Sequence, residues 1–271
     1  MTRTVVQQPE QVRLSIATFL EGLQTDGFVR SLLLSLRDFA PEYLPDSFKG
    51  AFVDERHEDS KGPVVSLGEE TTQLLLQALE TPKLGKVMLT RGSPPSMTIA
   101  LPTRFRTGLR HYYVHLSIQR HLVRSTSERQ TFLRVAQRLF LTCEGFFGEF
   151  GTFHHMKKEP LGGAPGVNRL VVTNLERGLP PADWGFLLGP DYVSLIGADR
   201  IKRAPCEVVR EFDNGRFILL LAKDFETLDA DEDLLEERRR RLVEHFGPEY
   251  FSYVMNGQSK VVLPRFARKT E

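Results

Sequence analysis

From His111 to His121 the chain alternates apolar and polar side chains, and no other feature constrains the fold as tightly. Strand side chains repeat with period two, so Tyr112, Val114, Leu116 and Ile118 fall on one side, and His111, Tyr113, His115, Ser117 and Gln119 on the other. Such a strand predicts one core face and one wet face. Neighbouring segments read the same way: Lys86 to Arg91, Ser96 to Leu101 and Phe146 to His155. Between the last two, Ser127 offers a cap to a helix whose apolar stripe is Phe132, Ala136, Leu139, Phe140 and Cys143, and Gly145 ends it. Strands interrupted by a helix in this order predict an α+β fold, an antiparallel sheet with helices packed on one face.

The flanking regions are less regular. Val12, Ile16, Phe19, Leu20 and Leu23 recur at helical spacing, and Phe28, Leu32, Leu36 and Phe39 repeat it after Thr25-Asp26-Gly27, which predicts a helical N-terminal segment. Pro41 to Pro63 is rich in proline and charge and reads as a long loop, followed by a short helix over Thr71 to Glu80. Gly162-Gly163-Ala164-Pro165-Gly166 breaks the pattern. The chain therefore divides into residues 1–160, helices plus a first sheet, helix and strand unit, and residues 161–271, a second helix, hairpin, helix and strand unit; one continuous domain is the alternative. The weak echo between the halves is compatible with internal duplication.

Beyond the break come an apolar segment at Leu170 to Val172 and a predicted helix over Ala182 to Ile196. Strands at Glu207 to Phe212 and Arg216 to Ala222 follow, joined by Asp213-Asn214-Gly215. Asn-Gly supplies the positive φ that a tight hairpin demands. A helix over Asp231 to Phe246 starts acidic and ends basic, in keeping with its dipole, and stops at Gly247-Pro248. A last strand is expected near Tyr250 to Met255.

Charge and composition exclude several classes. Thirty-six Lys and Arg against 35 Asp and Glu leave a net charge of +1, so no global field draws the chain to nucleic acid. The two cysteines, Cys143 and Cys206, are too few for a disulfide framework or a cysteine zinc site and read as structural thiols of a cytoplasmic protein. The N-terminus has no basic head before an apolar run, and no apolar run approaches the ~18 residues of a membrane span. His111 and His115 share a strand face at roughly 13 Å, too far for one ion. No Gly-x-Ser-x-Gly elbow, phosphate loop or His-Glu-x-x-His pair is present, so the expectation is a binding protein without cofactor or metal. Candidate contact residues are Arg104, Arg106, His111, Tyr113 and His115, where basic and aromatic side chains interleave as they do at protein interfaces.

One stretch carries a likeness. Gly178-Leu179-Pro180, Asp183-Trp184-Gly185, Leu188-Gly189-Pro190-Asp191-Tyr192-Val193 and Ile196-Gly197, followed by Ala204-Pro205 and the hairpin, resembles the immunity proteins of bacterial polymorphic toxins, in particular those linked to type VI secretion. The resemblance covers Gly178 to Phe246. It implies a cytoplasmic antidote that binds a cognate protein toxin without turnover of its own. Trp184, the only tryptophan, reads as a core anchor within it. Two rivals remain: an adaptor subunit of a larger assembly, and an enzyme whose site gathers scattered residues such as Glu149, His154, His155 and Asp183.

Overall fold

The computed structural model describes residues 11–20, 23, 25–53, 59–66, 84–92, 96–102, 112–152, 175, 178–180, 182–213, 215–251 and 262–264. The strands among them are β1 (Gln11–Thr18), β2 (Ser47–Val53), β3 (Asp59–Ser66), β4 (Leu84–Arg91), β5 (Met97–Pro102), β6 (Tyr112–Gln119), β7 (Phe147–Thr152), β8 (Gly185–Leu188), β9 (Val208–Phe212) and β10 (Arg216–Leu220). The α-helices are α1 (Asp26–Phe39), α2 (Thr126–Thr142), α3 (Pro190–Ile196), α4 (Ala198–Lys202), α5 (Phe225–Ala230) and α6 (Glu232–Phe246). All ten strands join one sheet in the order β3-β2-β4-β5-β6-β1-β7-β8-β10-β9, and every pairing is antiparallel. The α+β class is as expected.

Register explains the core. Val12 pairs with Ile118, Leu14 with Leu116 and Ile16 with Val114, and Leu116 continues to Ile99 and then Leu89. These side chains share one face, and every one of them is at most 1% exposed. Helices α1 and α2 lie over that face: Phe132 of α2 meets Phe150 edge-on at 6.0 Å, and Phe150 pairs with Leu14. The opposite face is covered at its C-terminal end by α3, where Tyr192 packs on Phe147 at 5.6 Å. Helix α2 begins with a capping box. Ser125 Oγ accepts from the Glu128 amide at 3.2 Å while the Glu128 carboxylate accepts from the Ser125 amide at 2.8 Å. Those bonds hold the Glu128 carboxyl below its ordinary range, and the cap is Ser125 where Ser127 was expected.

Three stretches differ from the sequence reading. Residues expected to open a helix form β1, which lies between β6 and β7 at the middle of the sheet. Val12 and Ile16 suit a helical stripe, but with Leu14 they also suit period two, and pairing on both edges decides between them. The stretch expected to be a loop holds β2 and β3. Its Pro63 is tolerated because β3 is the outermost strand, where a missing ladder donor costs little. Within the helix expected over Ala182 to Ile196, only α3 is helical, and Gly185 to Leu188 is strand β8. The expected helix over Thr71 to Glu80, the glycine break at Gly162 to Gly166 and the segment Leu170 to Val172 lie outside the described residues.

Candidate partner-binding surface

Of the five expected contact residues, Arg104, Arg106 and His111 lie outside the described residues. Tyr113 and His115 are placed, and both belong to β6. Their rings stack at a centroid distance of 6.1 Å. The face they share is not wet, which corrects the expectation: Tyr113 is 8% exposed and Ser117 is 7%. His115 is half-buried, and its Nδ1 lies 3.0 Å from Ser15 Oγ on β1.

This face is a ladder of polar groups. Ser15 stands opposite His115 on one side and opposite Glu149 of β7 on the other. One step along, Arg13 donates through Nε to Ser117 Oγ at 3.3 Å. Ser15 is 2% exposed and Glu149 is 6% exposed, so burial has closed the strip over. Desolvation pulls the Arg13 guanidinium below its ordinary value. Chemically, the Ser15 to His115 bond orients the imidazole, and at 2% exposure Ser15 Oγ lies out of reach of a solute. Tyr113 and His115 thus form a packed base, and the segment bearing Arg104, Arg106 and His111 runs between β5 and β6 in sequence.

Asp183, Trp184 and Gly185 lie at the start of β8, each fixed for a structural reason. Asp183 Oδ1 accepts from Arg239 Nη2 at 2.5 Å, and the two side chains are 2% and 4% exposed. Arg239 Nε also donates to the Ala182 carbonyl at 2.6 Å, and its Nη1 pairs with Glu236. Trp184, 1% exposed, stacks against Phe132 at 6.5 Å and donates from Nε1 to the Ala222 carbonyl at 2.9 Å. A Cβ on Gly185 would sit 2.1 Å from the Leu219 carbonyl oxygen, so the close approach of β10 admits only glycine. A Cβ on Gly189 would likewise sit 2.7 Å from the Phe146 backbone, and Pro190 opens α3. Asp183 is therefore engaged with an arginine of α6. Within the basic run Arg238 to Arg241, Arg239 is buried. The missed signal was periodic: Leu235, Arg239, Leu242 and Phe246 share the buried stripe of α6.

Of the scattered residues of the enzyme reading, Asp183 pairs with Arg239, and His154 and His155 lie outside the described residues. Among the described residues no three His, Cys, Asp or Glu side chains are placed to hold a metal ion. Among the described residues no helix is long and apolar enough to cross a membrane.

The helix layer offers the most open apolar surface. Leu34 of α1 is 47% exposed and Phe39, at its end, 59%. Arg138 of α2 lies over the Phe39 ring at 4.7 Å and donates to Ser35 Oγ at 2.9 Å. A shallow groove runs between the helices, lined by Gly27, Arg30, Leu34, Phe39, Arg138 and Thr142.

Comparison with solved structures finds a similar architecture in the Pseudomonas aeruginosa T6SS protein PA0821, at a TM-score of 0.54 and 13% sequence identity, over 93% of this chain and 78% of that one. At such identity the likeness is one of fold. No protein-family model matches the chain, and no curated protein matches it.

Proposed function

We propose that this chain is a type VI secretion-associated immunity protein, which binds a cognate bacterial toxin in the cytoplasm and neutralises it without catalysis. The observation that carries the reading is a coincidence of two likenesses. The Gly178 to Phe246 stretch resembles toxin-immunity proteins, and a protein of type VI secretion shares the architecture over 93% of the chain. Arg104, Arg106 and His111 are the proposed contacts, with Tyr113 and His115 holding the strand that leads to them. Arginine and aromatic side chains are the usual anchors of such interfaces.

The test begins with the genes on either side: an effector-like reading frame found there is co-expressed with this chain. Growth should be restored by the wild-type chain, and the two proteins should co-purify. An Arg104→Glu/Arg106→Glu variant that remains folded should lose at least tenfold in affinity and fail to protect. Equal killing with and without the wild-type chain would sink the proposal.

A further inference from the structure

We propose that two copies of this chain associate through the outer face of α1, packed antiparallel about a two-fold axis at Leu34. The outward residues of the helix make the case. Arg30, Leu34 and Asp38 follow one another at intervals of four residues and are all exposed. Residues so spaced lie on one stripe, roughly 6 Å apart along the axis. The positive and negative groups are thus equidistant from the central leucine. Turning a second α1 end for end about Leu34 sets Arg30 against the other copy's Asp38, and Asp38 against the other copy's Arg30. A two-fold interface has to be self-complementary in this sense.

Packing agrees with charge. Leu34 is 47% exposed, and the axis would bring it onto its own equivalent. Gly27 and Ser31 are small, so a second helix can approach on that side. The antiparallel arrangement places Phe39, 59% exposed, over this Gly27 to Ser31 stretch of the other copy. Its ring is held for the purpose by Arg138 at 4.7 Å. Asp38 pairs with its neighbour Arg37 at 3.3 Å with both side chains about 60% exposed, a contact weak enough to be exchanged. A single helix pair with flanking α2 side chains buries less than the roughly 800 Å² per partner of a standard interface, so the dimer should form in the micromolar range. The surface lies on the helix layer and the proposed toxin contacts follow β5, so neither reading depends on the other.

Sedimentation velocity across a hundredfold concentration range tests it on the full chain. The wild type should shift from monomer to dimer as concentration rises. Leu34→Asp should stay monomeric at the highest concentration, with an unchanged circular dichroism spectrum. Arg30→Asp and Asp38→Arg should each weaken the dimer at least tenfold, because each sets like charges opposite one another. The double variant Arg30→Asp/Asp38→Arg should recover it, since the reversed pattern is again self-complementary. A wild type that is monomeric throughout, with this face left for a different protein, overturns the proposal. So does a dimer that none of these substitutions weakens, or singles that weaken it without rescue in the double.

Discussion

Two of the places where polar groups are buried differ in their chemistry. Along β1 and β6 the groups are mainly hydroxyls and an imidazole, spread over neighbouring strands and joined by single bonds such as Ser15 to His115 at 3.0 Å. At the head of β8 the polarity is charged: Arg239 pairs with Asp183, almost fully buried, and with the more exposed Glu236, all concentrated at a point. A buried hydroxyl that loses its partner forfeits one hydrogen bond, whereas a buried ion that loses its partner has nowhere to put its charge. The first region should therefore answer to substitution in small steps. The second should hold or fail as a unit.

The largest effect expected follows from that contrast. Arg239→Ala leaves Asp183 uncompensated and strips the Ala182 carbonyl of its donor, and should cost about 3–5 kcal/mol in urea unfolding. Replacing both partners by apolar residues of similar volume, Asp183→Leu with Arg239→Met, should recover most of the loss, because no lone ion remains. A double variant as unstable as the single one would show that packing around Arg239 matters more than its charge. The contrast between the two regions would then disappear.

The same contrast marks what could be read from the sequence. Helices α1, α2 and α6, strand β6 and the β9 to β10 hairpin declare themselves locally, through periodicity, caps and an Asn-Gly turn. Asp213 at φ +32° and Gly215 at φ +82° bear that turn out. Strands β1 and β8 do not declare themselves, because both are interior strands whose neighbours come from distant parts of the chain. Leu14 is equally apolar in either conformation, and only β6 and β7 on its flanks make it a strand. The polar strip shows the same limit. Alternation told which residues share a face with His115, but not that the face would be covered. Arg239 was legible in principle from its place on the apolar stripe of α6, while its partner Asp183, 56 residues away, was not.

A middle-sized effect tests the graded side of the comparison. Ser15→Ala removes one neutral hydrogen bond to His115 and should cost about 1 kcal/mol. Ser117→Ala, which frees Arg13 Nε, should cost a similar or smaller amount because Arg13 is only half-buried. These two changes sit on neighbouring strands without a shared partner, so their costs should add. A Ser15→Ala loss as large as that of Arg239→Ala would mean that the strip is a single cooperative network. Denaturant midpoints at constant slope separate these cases.

The smallest effect at neutral pH concerns the two thiols. Burial pushes the Cys143 thiol well above its ordinary 9.0, and pushes Cys206 up to about 12, where the nearby Arg238 works in the opposite direction. Both are protonated in the folded chain at pH values where the unfolded chain has begun to ionise. A raised folded value means that their contribution to stability is fully present below pH 9 and is lost as pH rises, for Cys206 between about 9 and 12. The alkaline limb of stability against pH should therefore fall, by at most about 1.4 kcal/mol per pH unit for each thiol. Cys206→Ala should make it shallower. A disulfide reagent at pH 8 should label Cys206 before Cys143, since Cys206 is half-buried and Cys143 is fully enclosed under α2. Should Cys143 react as fast as Cys206, α2 would have to open readily from the sheet. The layer over the β1 and β6 core face would then be looser than the ion-paired end, in reverse of the order argued from their polar groups.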